Sequence, residues 1–139
     1  MRLGRDAKVD LLKSVPLFAG CSKTELRRLA ATADEIDVRA GYVLMREGRP
    51  GREFFVLVEG SVEVTRNGRK LSELGSGDWF GEIALLTKVP RTASVVATSA
   101  VRALVVTDRA FRQLVETMPS IAIKVLASLG DRLAADTKS

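Results

Sequence analysis

Apolar positions along this chain change their spacing twice. Up to about residue 33 they fall at helical intervals, with Val9, Leu11 and Leu12 forming a patch that runs into Val15-Pro16-Leu17-Phe18. The proline should end or turn that first segment. Ser22-Lys23-Thr24-Glu25 fits a capping box, with Ser22 opening a second helix and Glu25 reaching back to it. Leu26, Leu29 and Ala30 supply the apolar face of that helix.

From about Glu35 the period falls to two. Ile36 and Val38 alternate with charged residues, and Gly41 turns the chain into Tyr42-Val43-Leu44-Met45. Residues 47–51 read as a turn. Phe54-Phe55-Val56-Leu57-Val58 is continuous and apolar, the pattern of a strand buried on both sides. Val62 and Val64 alternate in the next strand, and Asn67-Gly68 is a two-residue hairpin signal leading into 70–74. Gly75-Ser76-Gly77-Asp78 is another turn, and two more strands are expected at 93–97 and 101–106. Short strands at regular spacing with glycine turns indicate an antiparallel barrel or jelly roll.

Helical spacing returns after the strands. Asp108 can cap a helix containing Phe111, Leu114 and Val115, and Pro119 suits the first turn of a final one. There Ile121, Val125, Leu129 and Leu133 share a face at i, i+4 spacing. Gly130 weakens that helix by roughly 1 kcal/mol relative to Ala, making its last turn a place for movement or fraying. The expected layout is a single domain over 1–139, helical at 7–33, a barrel at 34–107 and two C-terminal helices at 108–136.

Composition narrows the function classes. The 139 residues suffice for one domain with a proper core, and 46% hydrophobic with 28% charged residues describes a globular chain. No stretch approaches the ~18 consecutive apolar residues of a membrane span. The first residues lack the apolar core of a signal peptide, and Cys21 is the single cysteine, so a reducing, cytoplasmic setting is expected. Histidine is absent, which removes the usual acid–base residue and the commonest metal ligand. No paired-carboxylate spacing or activated nucleophile stands out, so neither enzyme activity nor a metal site is expected. The net charge of +5 is spread over dispersed arginines and lysines without interleaved aromatics, the pattern of a solvated surface.

Residues 80–95 concentrate the recognisable chemistry. Glu82 and Arg91 stand among small and apolar residues, with Gly81 beside the first and Thr92-Ala93 after the second. A short helix starting near Gly81 would aim free N–H groups and its positive dipole end at an anion. Arg91 adds a planar, permanently charged fork matched to phosphate oxygens. Glu82, an acceptor when ionised, suits a sugar hydroxyl. Together they fit a small anion carrying a sugar.

The run Phe80-Gly81-Glu82-Ile83-Ala84-Leu85, followed by Arg91-Thr92-Ala93, resembles the phosphate-binding cassette of the cyclic nucleotide-binding domain. That family includes catabolite-activator-type regulators, cyclic-nucleotide-dependent kinases and gated channels, and the resemblance spans roughly residues 10 to 135. It implies an eight-stranded antiparallel jelly-roll barrel, mainly β, with N-terminal helices, two C-terminal helices and the cassette at 80–95 as its helical interruption. It also implies a 3′,5′-cyclic nucleotide as ligand, with no metal. Arg91, Thr92, Ala93 and Ala84 would serve the phosphate, and Gly81 and Glu82 the ribose. Gly81 is expected there because a side chain would crowd the sugar. Ile83 and Thr92 would lie near the base. Val64 and Leu74 are either base contacts or barrel core, and Arg132 is either a lid over the purine or a solvated helix-end arginine. In that family a Thr directly after the cassette arginine, as at Thr92, is associated with cGMP, because its hydroxyl can reach the 2-amino group of a syn guanine. Thr or Ser also occurs there in domains that bind cAMP; cAMP is favoured, with cGMP close behind.

A regulatory domain passing ligand binding through its C-terminal helix to an effector domain or protein partner is the expected role. A ligand-free scaffold and the effector domain of a transcription regulator are the alternatives. Nothing after Arg132 resembles a helix-turn-helix, so direct nucleic-acid binding is not expected of this chain. The final helix could pair with a second copy to make a homodimer.

Overall fold

The computed structural model describes residues 2–137, with the side chains of 132 and 135–137 outside the described set. Two compact units emerge, one formed by Ala33–Arg109 and the other by the segments before and after it.

The strand unit contains β1 (Asp34–Val38), β2 (Val43–Met45), β3 (Glu53–Glu59), β4 (Val62–Arg66), β5 (Arg69–Leu74), β6 (Trp79–Phe80), β7 (Ser94–Ala97) and β8 (Val101–Thr107). They form two antiparallel four-stranded sheets, ordered β1-β8-β3-β6 and β2-β7-β4-β5. This is the expected jelly-roll class. Leu57, Val62, Val95 and Ala103 are fully buried and, with Phe55, Phe80 and Ala97, make the core of the unit. Phe54 to Leu57 are all buried, as their unbroken apolar run requires. The β4–β5 hairpin turns on Asn67 (φ 53°) and Gly68 (φ 77°), between the paired residues Arg66 and Arg69. Two successive left-handed residues make a type I′ turn, whose twist matches that of the strands it joins.

Two features of this unit depart from expectation. Trp79 and Phe80 form a short strand on the edge of the first sheet, where the turn at 75–78 was expected to enter the cassette directly. The expected helix from Gly81 is a single 3-10 turn, Glu82–Leu85, ending at Leu86. Its tighter winding closes Ala84 N–H onto Gly81 O at 3.1 Å. An N–H expected to face an anion is therefore already engaged.

The helical unit contains α1 (Arg5–Lys13), a 3-10 turn at Pro16–Phe18, α2 (Lys23–Thr32), most of α3 (Asp108–Thr117) and α4 (Ser120–Thr137). Pro16 opens the 3-10 turn, where a missing N–H costs nothing. The capping box forms reciprocally: Ser22 N–H donates to Glu25 Oε1 (2.7 Å) and Glu25 N–H to Ser22 Oγ (3.2 Å). Leu12, Leu17, Phe18, Leu29 and Ile121 are fully buried, and the Phe18 and Phe111 rings lie 6.3 Å apart in a tilted pair.

Two helix-end expectations shift here. Asp108 is itself the first residue of α3, with its Oδ1 accepting from the N–H of Arg109 at 2.7 Å. Pro119 precedes α4, its carbonyl accepting from Ile123 N–H. The apolar face of α4 is buried at Ile121 and Val125 and half-buried at Leu129, but Leu133 is 64% exposed. Among the described residues, no helix is long and apolar enough to cross a membrane.

Candidate functional site

Phe80 fixes the entry to the segment that carries Glu82 and Arg91. It pairs with Phe55 across the β3–β6 register, the two rings stacked with centroids 4.9 Å apart. Gly81 then turns left-handed, with φ 83°. A Cβ there would lie 2.8 Å from Glu53 O and 3.0 Å from Arg91 Nη1. Glycine is thus demanded by the backbone and by the protein groups against it, a reason that needs no sugar.

Arg91 is held at both ends. Its N–H donates to Arg49 O (2.9 Å), and its carbonyl accepts from Gly48 N–H (2.8 Å), tying it to the turn after β2. Its guanidinium donates through Nη2 to Glu53 O (2.7 Å) and through Nη1 to Gly81 O (3.3 Å, the longer contact). Burial lowers its pKa, against which the charges of Glu53 and Glu82 act. An arginine stays protonated through such a shift, so the fork is a fixed cation with N–H groups to spare.

Glu82 is half-buried and begins the 3-10 turn. Among the described residues no side-chain hydrogen bond or ion pair engages its carboxylate, which leaves it an acceptor for a hydroxyl donor. Thr92 is exposed, and its carbonyl accepts from Arg66 Nε at 2.8 Å.

A cavity of about 160 Å³ brings these groups together. Gly81, Glu82, Ile83, Ala84, Arg91 and Thr92 line it, joined by Met45, Val89 and Pro90. Of these, Ile83 is half-exposed and Ala84 is buried. The cavity therefore combines a fixed cation, an available carboxylate and an apolar rim. That combination suits a small anion bearing hydroxyl groups and a flat apolar part.

The remaining candidates lie elsewhere. Ala93 is buried beside Thr92 without lining the cavity. Val64 and Leu74 are half-buried on β4 and β5 and pack against the core cluster, not among the lining residues. The side chain of Arg132 lies outside the described residues. Among the described residues no group of three or more His, Cys, Asp or Glu is placed to hold a metal ion.

The cyclic nucleotide-binding domain family matches residues 35–118, which includes every residue lining this cavity. The chain belongs to that family. It is 34% identical over 119 residues to a cAMP-dependent protein kinase regulatory subunit of Mycosarcoma maydis, a match covering 79% of this chain and 23% of that protein. The chain thus spans under a quarter of that relative's length. The crystal structure of the N-terminal domain of a transcriptional regulator from Streptomyces coelicolor A3(2) is similar at a TM-score of 0.87 and 27% identity, covering 94% of this chain and 96% of that one. The regulatory domain of Toxoplasma gondii PKA in co-crystals with cAMP is similar at a TM-score of 0.73 and 26% identity, covering 92% of this chain and 49% of that one.

Within this cyclic nucleotide-binding domain, sequence reasoning missed the partners that fix Arg91 and Thr92. Glu53 and Gly81 act through main-chain carbonyls, which no side-chain pattern reports. From the sequence, Arg66 reads as one of the dispersed surface arginines. The one available signal was the Asn67-Gly68 hairpin, which sets β4 and β5 in register and places Arg66 at the end of its strand.

Proposed function

We propose that this chain binds a 3′,5′-cyclic nucleotide in the cavity of the 80–92 segment, cAMP in preference to cGMP, and regulates an effector through that binding. The observation that carries this reading is the pairing, in one cavity, of a backbone-fixed Arg91 with an unengaged Glu82. Arg91 would neutralise the single charge of the cyclic phosphodiester, and Glu82 would accept from the ribose 2′-hydroxyl. Gly81 and Ala84 would shape the wall against the sugar and phosphate, with Ala93 behind them. Ile83 and Thr92 would border the base. The family membership and the cAMP named for its relatives support the same ligand class.

Regulation follows from linkage: a ligand that binds one conformation better shifts the population toward it. In this proposal α4 carries the signal, and its graded burial from Ile121 to Leu133 supports a helix firmly seated at its start and looser beyond.

The test is thermal unfolding of wild type and Arg91→Ala with excess cAMP, cGMP or 5′-AMP. Ligand at ~100 times its dissociation constant stabilises the native state by about 2.7 kcal/mol, several degrees for a domain of this size. A shift with cyclic nucleotides, absent with 5′-AMP and lost in Arg91→Ala, supports the reading. No shift with any nucleotide overturns it and leaves a protein-interaction scaffold.

A further inference from the structure

We propose that Gly51 is a positioning residue of the cavity, its missing side chain forming the seat on which the Arg91 guanidinium lies. Gly51 is buried in the segment between β2 and β3. A Cβ on it would come within 2.6 Å of Arg91 Nε, 2.7 Å of Cζ and 2.8 Å of Cδ. Its φ lies outside the left-handed range, so the backbone itself makes no demand for glycine there. Gly48, three positions earlier, is the opposite case: it is left-handed at φ 82°, and a Cβ would meet nothing within 4 Å. One segment thus holds two glycines for two physical reasons, conformation at 48 and space at 51.

The collision would fall on a movable group. Arg91 N–H and C=O are both bonded to the turn, so its backbone cannot retreat. The atoms in conflict belong to the far end of its flexible side chain. With alanine at 51 the guanidinium must withdraw from 2.6 Å to the 3.4 Å of ordinary contact. That displacement strains or breaks the 2.7 Å bond from Nη2 to Glu53 O and moves the fork out of its place in the cavity wall. A charged group aimed at a phosphate loses its value quickly when misplaced, because bidentate contact depends on direction as well as distance. Gly51 would therefore govern anion recognition without touching the ligand. This role rests on the reading of Arg91 as the phosphate-binding arm, whereas the seat itself does not.

The experiment is a double-mutant cycle on the whole chain with Gly51→Ala, Arg91→Ala and the pair. Each protein is measured by thermal unfolding without ligand and by titration with cAMP. Without ligand, Gly51→Ala is expected to lower the melting temperature in the wild-type background and to raise it slightly in the Arg91→Ala background. There the collision with Arg91 is gone, and the reduced freedom of the unfolded chain favours alanine. With cAMP, Gly51→Ala is expected to weaken binding tenfold or more. A loss of melting temperature that is equal in both backgrounds, or unchanged cAMP affinity in Gly51→Ala, would overturn the proposal. If Gly51→Ala alone fails to fold, recovery of folding in the double variant supports the seat and failure of both overturns it. A wild type that binds no cAMP overturns the ligand reading alone, since the ligand-free cycle still reads the coupling between 51 and 91.

Discussion

Lys124 on α4 donates to Oε1 of Glu25 on α2, joining residues 99 positions apart in sequence. Ser120 donates to Oε2, and the N–H of Ser22 donates to Oε1, so a carboxylate only 3% exposed is surrounded by donors. Burial alone would raise its pKa; the hydrogen bonds from Lys124, Ser120 and Ser22 outweigh it and bring the value down from 4.5 to about 2. The residue that caps one helix thus also anchors the first turn of another.

A pH dependence follows from that shift. Because the folded value lies below the unfolded one, protons bind the unfolded chain first on acidification. The stabilisation from Glu25 is therefore complete above about pH 4.5 and is lost as pH falls toward 2. Glu25→Gln should cost roughly 1–3 kcal/mol at neutral pH, since Lys124 loses its charged partner. Urea unfolding of both proteins from neutral to acid pH should show the gap between them closing within that window. A gap that stays constant across it would show that Glu25 is not held ionised by these contacts.

Phe80 links the core to the cavity. Phe80→Ala removes a stacked ring that is only 7% exposed and should destabilise the protein by about 3–5 kcal/mol. Chemical denaturation measures this directly. A cost below about 1 kcal/mol would mean that the β6 edge carries none of the core's stability.

Gly68 tests conformation without packing. Its φ is 77°, and a Cβ there would meet nothing within 4 Å. Gly68→Ala should therefore cost about 1–2 kcal/mol through left-handed strain alone. The urea midpoint should fall with an unchanged slope, and any bound nucleotide should keep its affinity. A change in the slope would point instead to a rearranged hairpin.

Thr92 should separate the two cyclic nucleotides. If its hydroxyl reaches the 2-amino group of guanine, Thr92→Ala removes one hydrogen bond, worth about 0.5–1.5 kcal/mol. Titration calorimetry should then show cGMP affinity falling up to about tenfold with cAMP nearly unchanged. Equal losses for both would assign Thr92 to the phosphate or to the wall of the site.

What could be read from the sequence was what short stretches of chain settle among themselves. The Ser22–Glu25 capping box, the Asn67-Gly68 turn and the grouping of Gly81, Glu82, Arg91 and Thr92 are each local enough to leave a pattern. The strand order was legible only as a class, since turn signals space strands without saying which sheet each joins. The burial of Glu25 depends on residues 95 and 99 positions away, and a charged residue in a first helical turn otherwise reads as solvated. Gly51 sat in a stretch that reads as a turn, where glycine already had a sufficient explanation. The 3-10 winding at 82–85 reads as helix because its apolar spacing is too short to distinguish the two periods.

The close approach at 51 also makes the order of substitutions at 51 and 91 matter. While Arg91 is present, a Cβ at 51 meets its guanidinium, so a larger residue there would have to displace the fork. A lineage that exchanges Arg91 for a smaller residue frees position 51 to accumulate larger ones, each harmless when it appears. An arginine restored beside such a residue would return with its fork displaced until position 51 is glycine again. Loss of the cation at this site would behave as a ratchet, easy to enter by one substitution and closed to return by one.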